Sequence, residues 1–158
     1  MTEPIQISFD VDCAVDHAFD VWTARISSWW PRSHTVSAQD DADVVLERHV
    51  GGRIYERTTA GDEHDWGEVT AFEPPRRLSY LWHIRSDRAD ATEVAISFTA
   101  INERTTRVEI EHRGWEVLGT RADTWRDRNY AAWGTLLPRY RDALGVGPGK
   151  VGGSEASL

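Results

Sequence analysis

The stretch that most limits what this chain can fold into runs from Thr120 to Leu144. Ala122, Trp125, Asn129, Trp133, Leu136, Leu137, Tyr140 and Leu144 recur there at three- and four-residue steps, which places them on one side of a single long helix. Arg121, Asp123, Arg126, Asp127, Arg128, Arg139, Arg141 and Asp142 fall between them and give the helix a charged, solvated face. A helix with one wet face and one aromatic face has to be covered by a second layer. Thr120 followed by Asp123 predicts a capping box at its start, and Gly145 a left-handed cap at its end. Pro138 lacks the amide that would bond to the carbonyl of Gly134, which predicts a bend between those two residues.

The rest of the chain supplies that second layer. Ile5, Ile7, Phe9 and Val11 alternate with Gln6, Ser8 and Asp10 as a half-buried strand does. Asp12 then offers a cap for a helix whose buried stripe is Val15, Ala18, Phe19, Trp22 and Ile26, ended by Pro31 just after Trp29 and Trp30. The polar segment from Arg32 to Asp43, with those two tryptophans before it, reads as a lid or rim. A meander of antiparallel hairpins follows, with strands at Val44–Val50, Arg53–Thr59, Trp66–Phe72 and Leu78–Ile84 and two more around Val94–Phe98 and Val108–His112. Pro74 and Pro75 make the connection before Leu78 a tight turn. Six to seven strands, a short helix after the first and a long helix after the last predict an α+β fold, a curved sheet wrapped around the C-terminal helix. Residues 1–144 read as one domain, and the Gly-rich residues 145–158 as a flexible tail.

Composition narrows the function. A net charge of −8 and a pI near 5.2 repel nucleic acid and anionic lipid. The single cysteine, Cys13, excludes an internal disulfide and fits a reducing cytoplasm. The start, MTEPIQISF, lacks the pattern of a signal peptide, and no apolar run reaches membrane-spanning length, so a soluble, cytoplasmic protein is expected. The six histidines show no pair at ligand spacing and there is no phosphate-cradling glycine loop, so neither a metal nor any other cofactor is expected. Eight tryptophans are many for a chain of this length, and so many large rings leave gaps or a pocket among them.

Several motifs occur together and in order: WWP at Trp29–Pro31, the run GGRIYERTTAGDEHDWGEVTAFEPPRRLSYLW from Gly51 to Trp82, EHRGWEVLG from Glu111 to Gly119, and RDRNYAAWGTLLPRY in the last helix. With them the chain resembles bacterial members of the group named after the activator of heat-shock-protein ATPase, within the START-like, or SRPBCC, superfamily. The resemblance covers nearly everything up to Leu144. It implies a helix-grip fold with a cavity between the curved sheet and the C-terminal helix. It also implies a function of the kind that superfamily has, binding lipids, hormones or polyketides and in some members cyclising them. The name of the group implies a chaperone as partner.

Aromatic side chains from the strands and the gripping helix, namely Trp66, Tyr80, Trp82, Trp115, Trp125 and Trp133, converge on one space, where they either fill the core or line a cavity. Trp30 joins them from the rim. Glu68, His112 and Asn129 are polar residues on the expected inner faces of their elements. The strand registers place Glu68 opposite Trp82 and His112 opposite Val94, both toward the helix, either as an acid–base pair or as satisfied structural hydrogen bonds. Arg48, His49 and Glu56 stay open, because one residue more or less in the Gly51–Gly52 hairpin decides which of them points inward. The candidate cavity residues are therefore Trp30, Trp66, Glu68, Tyr80, Trp82, His112, Trp115, Asn129 and Trp133. The function expected is binding of a small hydrophobic or aromatic molecule, with cofactor-independent catalysis open. The alternative is a module that acts on a chaperone or another protein.

Overall fold

The computed structural model describes residues 2–145, so the expected flexible tail from residue 146 lies outside the described residues. β1 (Ile5–Val11) leads into α1 (Val15–Thr23), and β2 (Asp43–Leu46), β3 (Arg53–Arg57), β4 (Glu63–Glu73), β5 (Arg77–Trp82), β6 (Thr92–Asn102) and β7 (Thr105–Arg113) follow before α2 (Ala122–Leu144). The strands form one antiparallel seven-stranded sheet in the order β1-β7-β6-β5-β4-β3-β2, so every pair except β1–β7 joins neighbours in sequence. The curved sheet grips α2 along its inner face, which is the helix-grip fold.

The stripe on α2 does what its spacing requires. Ala122, Trp133, Leu136, Leu137, Tyr140 and Leu144 are buried, while Trp125 and Asn129 are half-buried. Its lower half docks on α1: the Tyr140 hydroxyl donates to the Ala18 carbonyl at 2.7 Å, and Trp22 meets the Tyr140 ring at a centroid distance of 4.8 Å. Trp29 lies edge-on to both, 5.2 Å from Trp22 and 5.3 Å from Tyr140. This is dense, apolar packing of large rings, the part of the molecule that fixes how α2 sits.

The helix ends differ from the expectations. α2 starts at Ala122 after a 3₁₀ stretch, Trp115–Arg121, in which Gly119 turns the chain at φ 59°. No side chain caps α2, so the Thr120–Asp123 box is absent; Asp123 accepts from the Thr2 hydroxyl instead. Gly145 is right-handed, with φ −74°. The helix runs continuously through Pro138, which is exposed along with Gly134, so water can reach the backbone that the proline leaves unbonded. Asp12 does not cap α1 either: the N-cap is Ala14, and no side chain bonds there. α1 stops at Thr23, well before Pro31, since the chain rolls into a 3₁₀ turn that lets the Trp29 indole donate back to the Val21 carbonyl at 2.9 Å.

Register decides the inner face. β3 pairs Glu56 with His64 and Ile54 with Gly67, and between these pairs the ladder slips by one residue. Trp66 and Gly67 therefore both sit on the inner side as a bulge, so Glu68 turns outward and Val69 inward, until a second slip between Val69 and Ala71 returns Phe72 to the inner side against Phe19. Gly67 is required there, since a Cβ would overlap the carbonyl oxygen of Leu81 on β5.

Candidate functional site

A cleft of about 170 Å³ opens between the end of β5, the middle of α2 and the segment after Trp30. Indoles of Trp30, Trp82, Trp125 and Trp133 wall it, together with Tyr80 and the aliphatic Ile84 and Leu136. Its polar groups are His34, Arg85, Arg128 and Asn129. A cavity lined this way, mostly apolar with a few polar groups, is the form that small-molecule sites take. A larger concavity, about 470 Å³, lies on the outer face of the sheet among Gln6, Ser8, Arg77, Ser97, Glu109 and Glu111. Those are the solvated positions of alternating strands, and no aromatic ring reaches them.

The rings are placed by hydrogen bonds behind them. Trp66, fully buried, packs against Trp30 at 5.1 Å and Trp82 at 5.8 Å. Its indole donates to Oε1 of Glu56 at 2.9 Å. Glu56 has no solvent exposure, and its carboxylate also accepts the backbone amides of Val36 at 2.6 Å and Ser37 at 2.9 Å. Burial pushes this carboxyl upward, but the hydrogen bonds from Ser37, Val36 and Trp66 outweigh it and hold Glu56 below the usual carboxylate range. An ionised Glu56 thus ties the rim segment to the sheet and fixes Trp66, and through it Trp30. Of the three residues left open by the Gly51–Gly52 hairpin, Glu56 is the one that turns inward, as a buried carboxylate. Arg48 is exposed at the rim, over the Phe72 ring at 5.7 Å and 4.0 Å from Asp20 of α1, and His49 is exposed.

His112 sits behind Trp133, away from the cleft. Its Nδ1 accepts the Trp133 indole N–H at 3.2 Å, which leaves Nε2 as the protonated nitrogen, donating to Thr92 Oγ1 at 2.8 Å. The Thr92 hydroxyl in turn donates to the carbonyl of Trp82 at 3.4 Å. Trp115 lies over the imidazole, with ring centroids 4.4 Å apart, and its own N–H donates to the His112 carbonyl at 3.0 Å. Burial lowers the His112 pKa to about 3, so the ring is neutral and every polar atom on it is bonded. Trp115 reaches only a small adjoining space of about 20 Å³.

Glu68 is on the other side of the sheet. It pairs with Leu81, not Trp82, and forms a surface ion pair with Arg88. The bulge at Trp66–Gly67 is the reason: two successive inward residues turn Glu68 outward, and no acid–base pair with His112 exists. Val94 does face His112 across β6 and β7. Of the candidates, the cleft brings together Trp30, Tyr80, Trp82, Asn129 and Trp133, while Trp66 and His112 stand behind its walls. Burial pushes the Tyr80 phenol well above its ordinary range, so it stays a neutral hydroxyl. The Asn129 side chain donates to the Trp125 carbonyl at 2.8 Å, and its amide oxygen has no hydrogen-bond partner among the described residues.

Sequence reasoning missed His34, Arg85 and Arg128. Arg128 was readable only as part of the charged face of α2, and Arg85 as part of a surface loop. For Glu56 a signal was present: β3 has one aliphatic residue, Ile54, and Glu56 shares its parity while Arg53 and Arg57 take the other.

The family model for the Activator of Hsp90 ATPase homolog 1-like protein matches residues 12–140. The chain belongs to that family. Among solved structures it is similar to the self-sacrificing resistance protein CalC of Micromonospora echinospora, at 26% identity over 90% of this chain and 94% of that one, with a TM-score of 0.66. It is also similar to the anthrahydroquino-gamma-pyrone synthase Txn09, at 27% identity over 94% and 92% of the two chains, with a TM-score of 0.55. An HSP90 activator of Plasmodium falciparum shares 16% identity over 91% and 97%, with a TM-score of 0.67; at that identity the likeness is one of fold. No curated protein matches the sequence. No helix among the described residues is long and apolar enough to cross a membrane, and no metal-binding cluster occurs among them.

Proposed function

We propose that the protein binds a small aromatic molecule in the cleft between β5 and α2. The observation that carries this reading is the cleft itself: Trp30, Trp82, Trp125 and Trp133 present ring surface to about 170 Å³ of space that no side chain fills. An apolar cavity of about 150 Å³ is enough for a benzene-sized guest, so one ring or two fused rings match the space. The ordered rings cost little further entropy on binding, because Glu56 and His112 already hold the walls from behind. The likeness to an anthrahydroquino-gamma-pyrone synthase supports an aromatic guest. In the cleft, the Asn129 amide, with the Arg85 and Arg128 guanidinium groups, is able to orient a ligand hydroxyl or carbonyl. Any catalysis there would rest on orientation and exclusion of water.

Thermal unfolding against a panel of fatty acids, sterols, mono- and bicyclic aromatics and aromatic polyketides tests the reading. Aromatic members should raise the melting temperature by mass action, equivalent to about 2.7 kcal/mol at a hundredfold excess over Kd. They should also quench the tryptophan fluorescence of the wild type more than that of Trp125→Ala. A panel without any shift overturns it.

A further inference from the structure

We infer that the aromatic ligand carries a carboxylate, held at the mouth of the cleft by Arg85 and Arg128; the inference rests on the cleft being a binding site.

The arginines of this acidic chain are mostly spoken for. Arg53, Arg57, Arg77, Arg107, Arg113 and Arg121 each pair with a carboxylate, as do others on the surface. The two that line the cleft do not: among the described residues no carboxylate pairs with either. Arg128 lies 5.8 Å from the centroid of the Trp125 ring, so its guanidinium rests on one wall of the cleft, and its N–H groups have no acceptor among the described residues. Arg85 spends one terminal nitrogen on the carbonyls of Thr35, at 2.6 Å, and Ser33, at 3.4 Å. Its Nε and its other terminal nitrogen have no acceptor among the described residues, and the two carbonyl bonds hold the fork in place. The backbone of Arg85 is left-handed, φ 61°, a conformation a side-chain-bearing residue adopts at some cost and one that is found where a side chain must be aimed.

A carboxylate is the partner that such a pair fits, since Arg128 can offer it two parallel N–H bonds and Arg85 a further N–H from a nitrogen its carbonyl bonds leave free. His34 lines the same cleft as a neutral ring, since burial, with Arg85 beside it, lowers its pKa, so the two guanidinium groups supply the positive charge there. The overall charge of −8 does not forbid an anion here, because charges beyond about 8 Å are screened at physiological ionic strength and the two guanidinium groups are the near ones. Ring in the cleft, acid at its mouth: the geometry divides the ligand into an apolar body against the indoles and an anionic end toward solvent.

Isothermal titration of 2-naphthoate and of 2-naphthamide, its neutral isostere, tests this. The wild type should bind the acid about tenfold more tightly than the amide, the size of effect expected for a charge-assisted pair. Arg128→Gln, an exposed helix position that leaves the core untouched, should bring the two to within about twofold by weakening the acid alone. Raising salt should weaken the acid more than the amide. Equal or tighter binding of the amide, or unchanged affinity of the acid in Arg128→Gln, overturns the carboxylate while leaving the aromatic cleft standing. Binding of neither compound overturns both.

Discussion

The two sides of Trp133 are built from the same materials and behave differently. Behind it, His112, Thr92 and Trp115 form a closed set in which each ring nitrogen and hydroxyl has its partner, and all three residues are buried. In front of it, Trp82 and Trp125 are half-buried, the Asn129 amide oxygen is unbonded, and a cleft remains. Aromatic side chains give a finished wall in one place and a receptive surface in the other. What distinguishes them is whether the polar atoms are used up, since a buried group without a partner costs free energy and a group facing a cleft can wait for a ligand.

Removing the divider should have the largest effect. Trp133→Ala deletes a buried ring and leaves His112 Nδ1 without its donor, so denaturant unfolding should show a loss of about 3–5 kcal/mol. A loss below about 1 kcal/mol would mean that Trp133 belongs to the cleft alone. The closed side should next reveal itself through pH. His112 has a folded pKa near 3 against an ordinary value of 6.5, so the unfolded chain takes up a proton that the folded chain refuses. Its contribution is fully present above pH 6.5 and is lost as pH falls toward 3. Between pH 7 and pH 5 this amounts to about 2 kcal/mol of lost stability, which His112→Gln should remove from the difference between stabilities measured at those two pH values. Equal pH dependence in wild type and variant would show that the imidazole is not sealed. The smallest effect belongs to the open side: Trp125→Ala should cost only about 1–2 kcal/mol, because the ring is half exposed, yet should weaken binding of an aromatic probe. A larger stability loss would make Trp125 a core residue and erase the contrast.

Part of this contrast is legible in the residues. The step pattern of α2 puts Trp133 and Asn129 on the gripping face, and the alternation around His112 sends its ring inward. The position of Glu68 was not legible. Two inward residues in succession, Trp66 and Gly67, break the alternation on which the reading of β4 depends, and within β4 the one mark of the break is Gly67, the residue type that bulges favour. The break follows from how close Gly67 lies to the Leu81 carbonyl on the next strand.

Local periodicity therefore determined the element types, their order and the curved sheet around a C-terminal helix, because each of these follows from which side chains must leave water. Tertiary structure alone decided the rest. Glu56 becomes the anchor of the rim because the amides of Val36 and Ser37, some twenty residues earlier, come to its carboxylate. Arg85 and Arg128 line one cleft because the loop after β5 and the outer edge of the α2 stripe are brought together. Such convergence depends on register and loop path, and in a sheet a shift of one residue moves a side chain to the opposite face.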